Sequence, residues 1–158
     1  MLHFAYGSNM DRRVMRRHAP EAEPLGRATL AHHRFLITGD GYASIAPMRG
    51  ATVHGVVWRL TPRDRVTLDG WENVAARLYR IAMLPVQQAG CRRRALVYLA
   101  RPTGTGRPKA GYLELVIAAA QAWALPPDYI DDLRRWLRPT GAGARKLGEF
   151  GWPSSAAS

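Results

Sequence analysis

Two short segments of this chain carry residue types that could do chemistry, and the first is the run of residues 6–10. Its members are Tyr6, Gly7, Ser8, Asn9 and Met10. The run follows an apolar stretch typical of a strand and precedes residues typical of the start of a helix. Backbone N–H groups at such a junction lack intrahelical partners and attract a carboxylate, a phosphate or a developing oxyanion. The run is also typical of an ordinary turn that caps the next helix through Asn9 or Asp11.

The second segment contains Glu72, which lies between a short predicted helix and a predicted strand, next to Trp71 and near Tyr79. Aromatic neighbours that shield a carboxyl group from water raise its pKa toward neutrality. A carboxyl group of that kind suits a general base that must later act as an acid. A surface glutamate in a loop would give the same local sequence, so both interpretations stay open at this point.

Other kinds of site have weaker support. No histidine pair has helical spacing with a carboxylate, so no metal site is predicted. Ser8 does not stand in a Gly-x-Ser-x-Gly segment, and no convincing Ser-His-Asp order indicates a nucleophilic serine. The two common glycine-rich phosphate-binding motifs are missing from the sequence. The residues of the two segments are therefore the candidates.

The composition is that of a globular protein that fits one domain. The chain has 158 residues, of which 47% are hydrophobic and 22% charged, enough to build a core. No apolar stretch is long enough to cross a bilayer, and the first residues lack the order of a signal peptide. The lone Cys91 excludes an internal disulfide. We expect a soluble cytoplasmic protein that is not attached to a membrane.

The formal net charge of +11 comes mainly from arginine, because only Lys109 and Lys146 among the 23 basic residues are lysine. Arginine clusters could follow the phosphates of a nucleic acid. These clusters are dispersed along the chain and no aromatic-interleaved recognition motif accompanies them, which is typical of solvated faces. Nucleic-acid binding is not expected as the main function, although a basic surface would help to collect a small anionic substrate.

Strand patterns dominate the first hundred residues and helix patterns the next part of the chain. Strands are predicted at residues 2–5, 30–38, 43–46, 52–60, 78–86 and 92–100, and helices at 11–17, 61–70, 111–124 and 128–137. Pro47 is predicted to end the third strand, Gly55 to mark a bulge or a close approach to the backbone, and Asp128 to cap the last helix. This order predicts an α+β fold, with a mixed, partly barrelled β-sheet and flanking helices.

The same order sets the expected domain boundary. Residues 1–140 are expected to form the domain. Residues 141–158 are expected to form a flexible tail with Trp152 as its one possible anchor.

Five stretches resemble, in order and spacing, the motifs of the γ-glutamylcyclotransferase-like superfamily. They are Phe-Ala-Tyr-Gly-Ser-Asn-Met at 4–10, Ala-Ser-Ile-Ala-Pro at 43–47, Val-His-Gly-Val-Val-Trp at 53–58, Leu-Asp-Gly-Trp-Glu-Asn-Val at 68–74 and Leu-Pro-Pro-Asp-Tyr at 125–129. The similarity runs from about residue 4 to residue 133. The resemblance implies the superfamily's fold, with a cavity whose floor is formed by residues 6–10.

The resemblance also implies an activity. Glu72 would be the general acid/base, and Tyr6, Gly7, Ser8, Asn9, Met10 and Tyr79 would bind the substrate. The γ-glutamyl group of a small γ-glutamyl amine or amino acid would be cyclised to 5-oxoproline with release of the amine, and no metal or cofactor is implied. The alternative is a catalytically inactive module of the same fold that binds small anions.

Two departures from the family pattern concern the surroundings of the site. Asn73 stands where the family usually has glycine, which affects the backbone just after Glu72. Residues 101–110 are unlike the usual aromatic-containing loop, which helps to form the pocket for the leaving group. The sequence therefore leaves the leaving amine open, and it does not determine the oligomeric state.

Overall fold

A computed structural model describes residues 1–138, which contain five strands and four helices. The strands are β1 (Leu2–Ala5), β2 (Glu23–Ile37), β3 (Ala43–Arg59), β4 (Tyr79–Gln88) and β5 (Cys91–Ala100). The helices are α1 (Arg12–His18), α2 (Pro62–Trp71), α3 (Tyr112–Ala122) and α4 (Pro127–Arg134), and short 3-10 turns cover Ser8–Met10 and Arg135–Leu137. The predicted tail at residues 141–158 lies outside the described residues.

The sheet closes into a barrel with the strand order β1-β3-β2-β4-β5. All neighbouring strands are antiparallel except β1 and β5, which run parallel where His3 lies opposite Leu96. The fully buried side chains come from strands, such as Phe4 and Leu96, and from helices, such as Leu68 and Leu113. The predicted α+β fold with a mixed, barrelled sheet and flanking helices is therefore confirmed.

The third strand corrects one sequence prediction. β3 runs continuously from Ala43 to Arg59, so Pro47 does not end a strand. Pro47 pairs with His33 and Thr52 pairs with Ala31, so that residues 48–51 bulge out of the ladder before pairing resumes. Pro47 and Gly50 therefore mark a bulge rather than a strand end, because β2 continues alongside β3.

The starts of two other elements also differ from the prediction. β2 begins at Glu23 rather than at residue 30, because β3 pairs with Pro24 and Gly26 even though neither residue type favours a strand. α4 begins at Pro127, a residue type whose ring favours the first helical position. Asp128 therefore lies in the first turn, and no side chain caps this helix.

Gly55 allows β1 to lie against β3 at the point where the chain leaves β1 for residues 6–10. A Cβ atom at Gly55 would lie 2.3 Å from the carbonyl oxygen of Ala5 and 2.8 Å from the ring of Phe4. The predicted close approach to the backbone is confirmed. Any larger side chain here would push β1, and with it the following turn, away from the sheet.

The start of α2 follows the prediction, with Thr61 as the N-cap. Thr61 Oγ1 accepts the N–H of Asp64 at 3.1 Å, and the Asp64 carboxylate accepts the N–H of Thr61 at 3.1 Å. Asp64 is 1% exposed and also accepts the N–H of Glu21, which ties α2 to the connection between α1 and β2.

No helix within residues 1–138 is long and apolar enough to cross a membrane.

Candidate active site

The N-terminal turn and the helix that follows it satisfy their backbone groups in different ways. The Asp11 carboxylate accepts the N–H groups of Arg13 at 2.7 Å and Val14 at 3.1 Å, so it caps α1. The start of α1 is therefore not a free anion site. The 3-10 hydrogen bonds of the turn begin with the N–H of Met10, which leaves the N–H groups of residues 7–9 outside that ladder.

Glu72 is positioned by the way in which α2 ends. The N–H of Asn73 donates to Gly70 O at 3.1 Å, and the N–H of Val74 donates to Asp69 O at 3.0 Å. This pair of hydrogen bonds is a Schellman motif, which needs a left-handed residue just past the helix. Asn73 supplies it with a φ of 50°, a conformation that asparagine tolerates better than most residues. The asparagine at the family's glycine position thus adopts the left-handed conformation that glycine favours.

A hydrogen bond joins the two candidate segments. Asn9 Nδ2 donates to Glu72 Oε1 at 2.8 Å, although 63 positions separate the two residues in the sequence. Asn9 is only 6% exposed, and Glu72 is half-buried. Burial raises the pKa of Glu72 to about 7, and the hydrogen bond from Asn9 acts in the opposite direction because it stabilises the carboxylate.

The two segments enclose a small inner cavity of about 30 Å³. Six of the seven predicted site residues line it, namely Tyr6, Gly7, Ser8, Asn9, Glu72 and Tyr79. The seventh, Met10, does not line it, because its side chain is fully buried in the core. The carbonyl oxygen of Met10 accepts a hydrogen bond from Trp123 Nε1 at 2.8 Å, which anchors the end of the turn to the segment after α3.

Sequence reasoning missed other residues that line the inner cavity. Among them are His3 from β1, Tyr98 from β5 and Tyr112 from the start of α3. Their positions in the sequence give no local signal of a site, since each lies in or next to an apolar stretch that reads as core. Only the closure of the barrel and the packing of α3 on the turn bring them to the same place.

The tyrosines of the cavity are neutral and hydrogen-bonded to the protein. The Tyr6 hydroxyl donates to Tyr98 O. The Tyr79 hydroxyl donates to Ala43 O at 3.2 Å, and the Tyr98 hydroxyl donates to the Asp69 carboxylate at 2.7 Å. Burial raises the pKa of all three hydroxyl groups.

Tyr112 and His3 complete the wall of the cavity and are also neutral at physiological pH. The Tyr112 hydroxyl accepts the N–H of Ala43 at 3.3 Å and hydrogen-bonds with Ser8, and burial raises its pKa to about 12. Burial lowers the pKa of His3 to about 4. Glu72 is therefore the lining residue whose charge changes near neutral pH.

The inner cavity opens into a groove of about 1010 Å³. Ser8, Glu72, Tyr79 and Tyr112 line both spaces, so the carboxyl group lies at the junction between them. A stacked pair of rings, His18 and Trp71, lines the groove beside Glu72, with ring centroids 3.8 Å apart.

The groove is lined by more cations than carboxylates. The four cations are Arg13, Arg17, Arg101 and Lys109. Asp11 lies 3.8 Å from Arg13, and Asp40 lies 3.4 Å from Arg101. Arg17 and Lys109 take part in none of the salt bridges within residues 1–138.

The unusual loop at residues 101–110 forms part of this groove. Its backbone is tied to the connection between β2 and β3 by hydrogen bonds from Gly39 N to Gly104 O at 3.1 Å and from Gly106 N to Ile37 O at 3.0 Å. The ammonium group of Lys109 lies 5.2 Å from the centre of the Tyr42 ring. The loop therefore places a cation beside the groove.

The arrangement places a carboxyl group that can transfer protons next to backbone N–H groups that can donate hydrogen bonds. A carboxyl group with a pKa near 7 lies between a cavity of water or ammonium size and a wide groove. Residues 7–9 line the same cavity. The Ser8 N–H bonds to the Tyr112 hydroxyl, whereas the N–H groups of Gly7 and Asn9 stay outside the 3-10 ladder and can stabilise a developing oxyanion. Within residues 1–138, no three His, Cys, Asp or Glu side chains are grouped as metal ligands.

Comparisons with known proteins agree with this fold. A structure named gamma-glutamyl cyclotransferase superposes with a TM-score of 0.81, at 24% identity over 90% of this chain and 91% of that one. An uncharacterised human protein has a TM-score of 0.77 and 26% identity over 84% of this chain and 85% of that one. YkqA from Bacillus subtilis has a TM-score of 0.75 and 27% identity over 85% of this chain and 53% of its own length.

The sequence itself matches a family model. Residues 52–133, more than half of the chain, match the model of the AIG2-like family. Among curated proteins, none matches the chain. The matched segment contains Glu72, the Schellman motif and the loop beside the groove. The chain belongs to the AIG2-like family, within the γ-glutamylcyclotransferase-like superfamily.

Proposed function

We propose that the protein is an enzyme that cyclises the γ-glutamyl group of a small γ-glutamyl amine or amino acid to 5-oxoproline and releases the amine. The observation that carries this proposal is the 2.8 Å hydrogen bond from Asn9 to Glu72, which joins the N-terminal turn to a carboxyl group with a pKa of about 7. A group with such a pKa takes up and releases protons near neutral pH, as a general acid/base must.

In the proposed reaction, Glu72 takes a proton from the substrate's α-ammonium group, and the resulting amine attacks the substrate's own γ-carbonyl carbon. The bond from that carbon to the leaving nitrogen then breaks as Glu72 returns this proton to it, and Glu72 next carries a second proton from the ring nitrogen to the released amine. Two protons leave the α-nitrogen and two reach the departing nitrogen, so atoms and charge balance without water. Because both reacting groups belong to one molecule, holding the substrate in a folded conformation supplies much of the rate.

The two spaces of the site are assigned to the two parts of the substrate. The inner cavity would hold the reacting end of the γ-glutamyl group, and the N–H groups of Gly7 and Asn9 would stabilise the tetrahedral oxyanion. The wide groove would hold the leaving amine, whose position next to Glu72 lets it receive a proton directly. The cations of the groove favour leaving groups that carry a carboxylate.

A panel of γ-glutamyl compounds tests this proposal. The purified protein is incubated with γ-glutamyl amino acids and γ-glutamylamines, and 5-oxoproline is measured by mass spectrometry. We expect release from at least one compound, and Glu72→Gln should lower the rate by about a hundredfold or more. Glu114→Gln is the matched control, because Glu114 is exposed on α3 outside the cavity and the groove.

The same panel separates the enzyme from the alternative. Product formation that is equally fast with Glu72→Gln would contradict the proposed role of this carboxyl group. Melting temperatures that rise with γ-glutamyl compounds in the absence of any 5-oxoproline would instead support a catalytically inactive binding module.

We also propose the cytoplasm as the location, because Cys91 is an exposed free thiol and such thiols pair between molecules in oxidising compartments.

A further inference from the structure

The inner cavity presents hydrogen-bond acceptors without a protein partner in addition to the backbone donors of the turn. The hydroxyl protons of Tyr6, Tyr79 and Tyr98 are all donated to other protein atoms. Two lining residues keep a buried atom without a partner within residues 1–138, namely His3 at Nε2 and Asn9 at Oδ1. Both atoms can accept a hydrogen bond, so a complementary ligand must bring donors.

His3 is an acceptor because of the hydrogen bond on the other side of its ring. Its Nδ1 lies 3.1 Å from Leu96 O, and a carbonyl oxygen only accepts, so Nδ1 carries the proton. Burial lowers the pKa of His3 to about 4, which keeps the ring neutral and leaves a lone pair on Nε2. His3 is 2% exposed, and a buried acceptor without a partner is costly unless a ligand fills the position.

Glu72 adds a third acceptor at the same cavity. Asn9 Nδ2 donates to one of its carboxylate oxygens, and the other oxygen has no hydrogen-bond partner within residues 1–138. The cavity volume of about 30 Å³ is sufficient for a water molecule or an ammonium group. A protonated primary amine carries three N–H donors and fits three acceptors, whereas a carboxylate of the substrate would bring none.

We propose that His3 Nε2 and Asn9 Oδ1 bind the α-amino group of the γ-glutamyl substrate while Glu72 exchanges its proton. This assignment rests on the proposed function. Two N–H groups of the amine are held by His3 and Asn9, and the third proton passes to Glu72. The lone pair left on nitrogen lies in the direction of the departed proton, away from the two acceptors, and it is this pair that attacks the γ-carbonyl carbon. His3 is thus a substrate-orienting residue in addition to those that the sequence indicated.

Binding of a ligand pair tests the role of His3 separately from packing. The ligands are γ-glutamylalanine and N-glutarylalanine, which differ only in the α-amine, and calorimetry with Glu72→Gln protein measures their Kd values without turnover. When His3 is present, we expect γ-glutamylalanine to bind more tightly than N-glutarylalanine. His3→Asn should reduce this preference for the amine by about tenfold. Asparagine keeps a donor near the position of Nδ1 but has no acceptor at the position of Nε2.

Further variants distinguish an acceptor from a packing group. His3→Gln places an amide oxygen near the position of Nε2 and should restore part of the preference for the amine. His54→Asn is the matched control, because His54 lies against Tyr129 and lines neither the cavity nor the groove. If His3→Asn does not fold, as judged by circular dichroism, the comparison is made with His3→Gln and His3→Phe, of which only glutamine should retain the preference.

Three outcomes would overturn the proposal. The first is equal binding of the two ligands when His3 is present, the second is an unchanged preference in His3→Asn, and the third is an equal loss of affinity for both ligands. None of these depends on the outcome for the reaction itself. Release of 5-oxoproline by the protein with all native residues tests the proposed function, whereas the ligand pair tests only how the amine is held.

Discussion

The inner cavity and the outer groove differ in size, charge and origin. The cavity of about 30 Å³ is lined by neutral tyrosines, a neutral histidine and one carboxyl group that titrates near neutrality. The groove of about 1010 Å³ is lined by arginine and lysine side chains that reach into solvent. Buried hydrogen bonds discriminate strongly between ligands because an unmatched group is costly, whereas exposed charges act weakly and are screened by salt. The cavity is therefore suited to recognise one chemical group, and the groove to tune which amine leaves.

The substitution with the largest expected effect removes the charge of the cavity. Glu72→Gln should abolish most activity and should also stabilise the protein at pH 8. The pKa of Glu72 is raised from 4.5 to about 7, so folding favours its protonated form. The associated stability is complete below about pH 4.5 and is lost as the pH rises through 7. Thermal and urea unfolding should show Glu72→Gln more stable by on the order of 2 to 3 kcal/mol at pH 8.

The control for this prediction is the pH dependence of the difference. Near pH 4 the two proteins should be almost equally stable, because the glutamic acid is then protonated in both the folded and the unfolded chain. A difference that is constant from pH 4 to pH 8 would show that packing, and not the buried charge, separates the two proteins.

Asn9→Ala tests the hydrogen bond that holds Glu72. Losing the N–H donor destabilises the carboxylate, so the pKa of Glu72 should rise above its value of about 7. The acidic limb of the plot of kcat against pH should therefore move to higher pH by about one unit. Gln121→Ala, at an exposed position of α3, should leave the limb in place. An unshifted acidic limb in Asn9→Ala would contradict the role of Asn9 in lowering the pKa of the acid/base group.

Lys109→Ala and Arg17→Ala test the groove. For a substrate whose leaving amine carries a carboxylate, each should lower kcat/KM by about two- to tenfold, and the effect should fade as salt is added. For a γ-glutamylamine without that carboxylate, the same variants should change kcat/KM little. Arg92→Ala, at an exposed position on β5 outside the groove, is the control. Equal losses for both kinds of substrate would contradict the role assigned to the groove.

Asn73→Gly has the smallest expected effect and concerns the left-handed residue that directly follows Glu72. Glycine adopts the left-handed conformation of Asn73 without steric cost, so stability should change by less than about 1 kcal/mol and activity should persist. Asn73→Val should lower stability by about 1 to 2 kcal/mol, because β-branched residues are strained at positive φ. Urea unfolding measures both. A glycine variant that loses activity while remaining folded would show that the asparagine side chain itself is needed.

The sequence predicted the main elements where the pattern was local. A short apolar run located β1, the strand patterns at residues 78–86 and 92–100 located most of β4 and β5, and Thr61 and Pro62 located the start of α2. The first half of β2 could not be predicted, because its proline and glycine become extended only when β3 lies beside them. The bulge in β3 had a signal in Pro47, but the resumption of pairing depends on the continuation of β2 across the hairpin.

What the sequence determined by itself is the pair of segments at residues 6–10 and around Glu72. Their motifs are local, and their turn and helix-end conformations depend mainly on nearby residues. Only the tertiary structure decided that Asn9 bonds to Glu72, that Met10 lies in the core, and that His3 reaches the same cavity. The physical reason is that barrel closure joins β1 to β5 and brings distant residues together, and residues that meet only through long-range packing leave no pattern in the sequence.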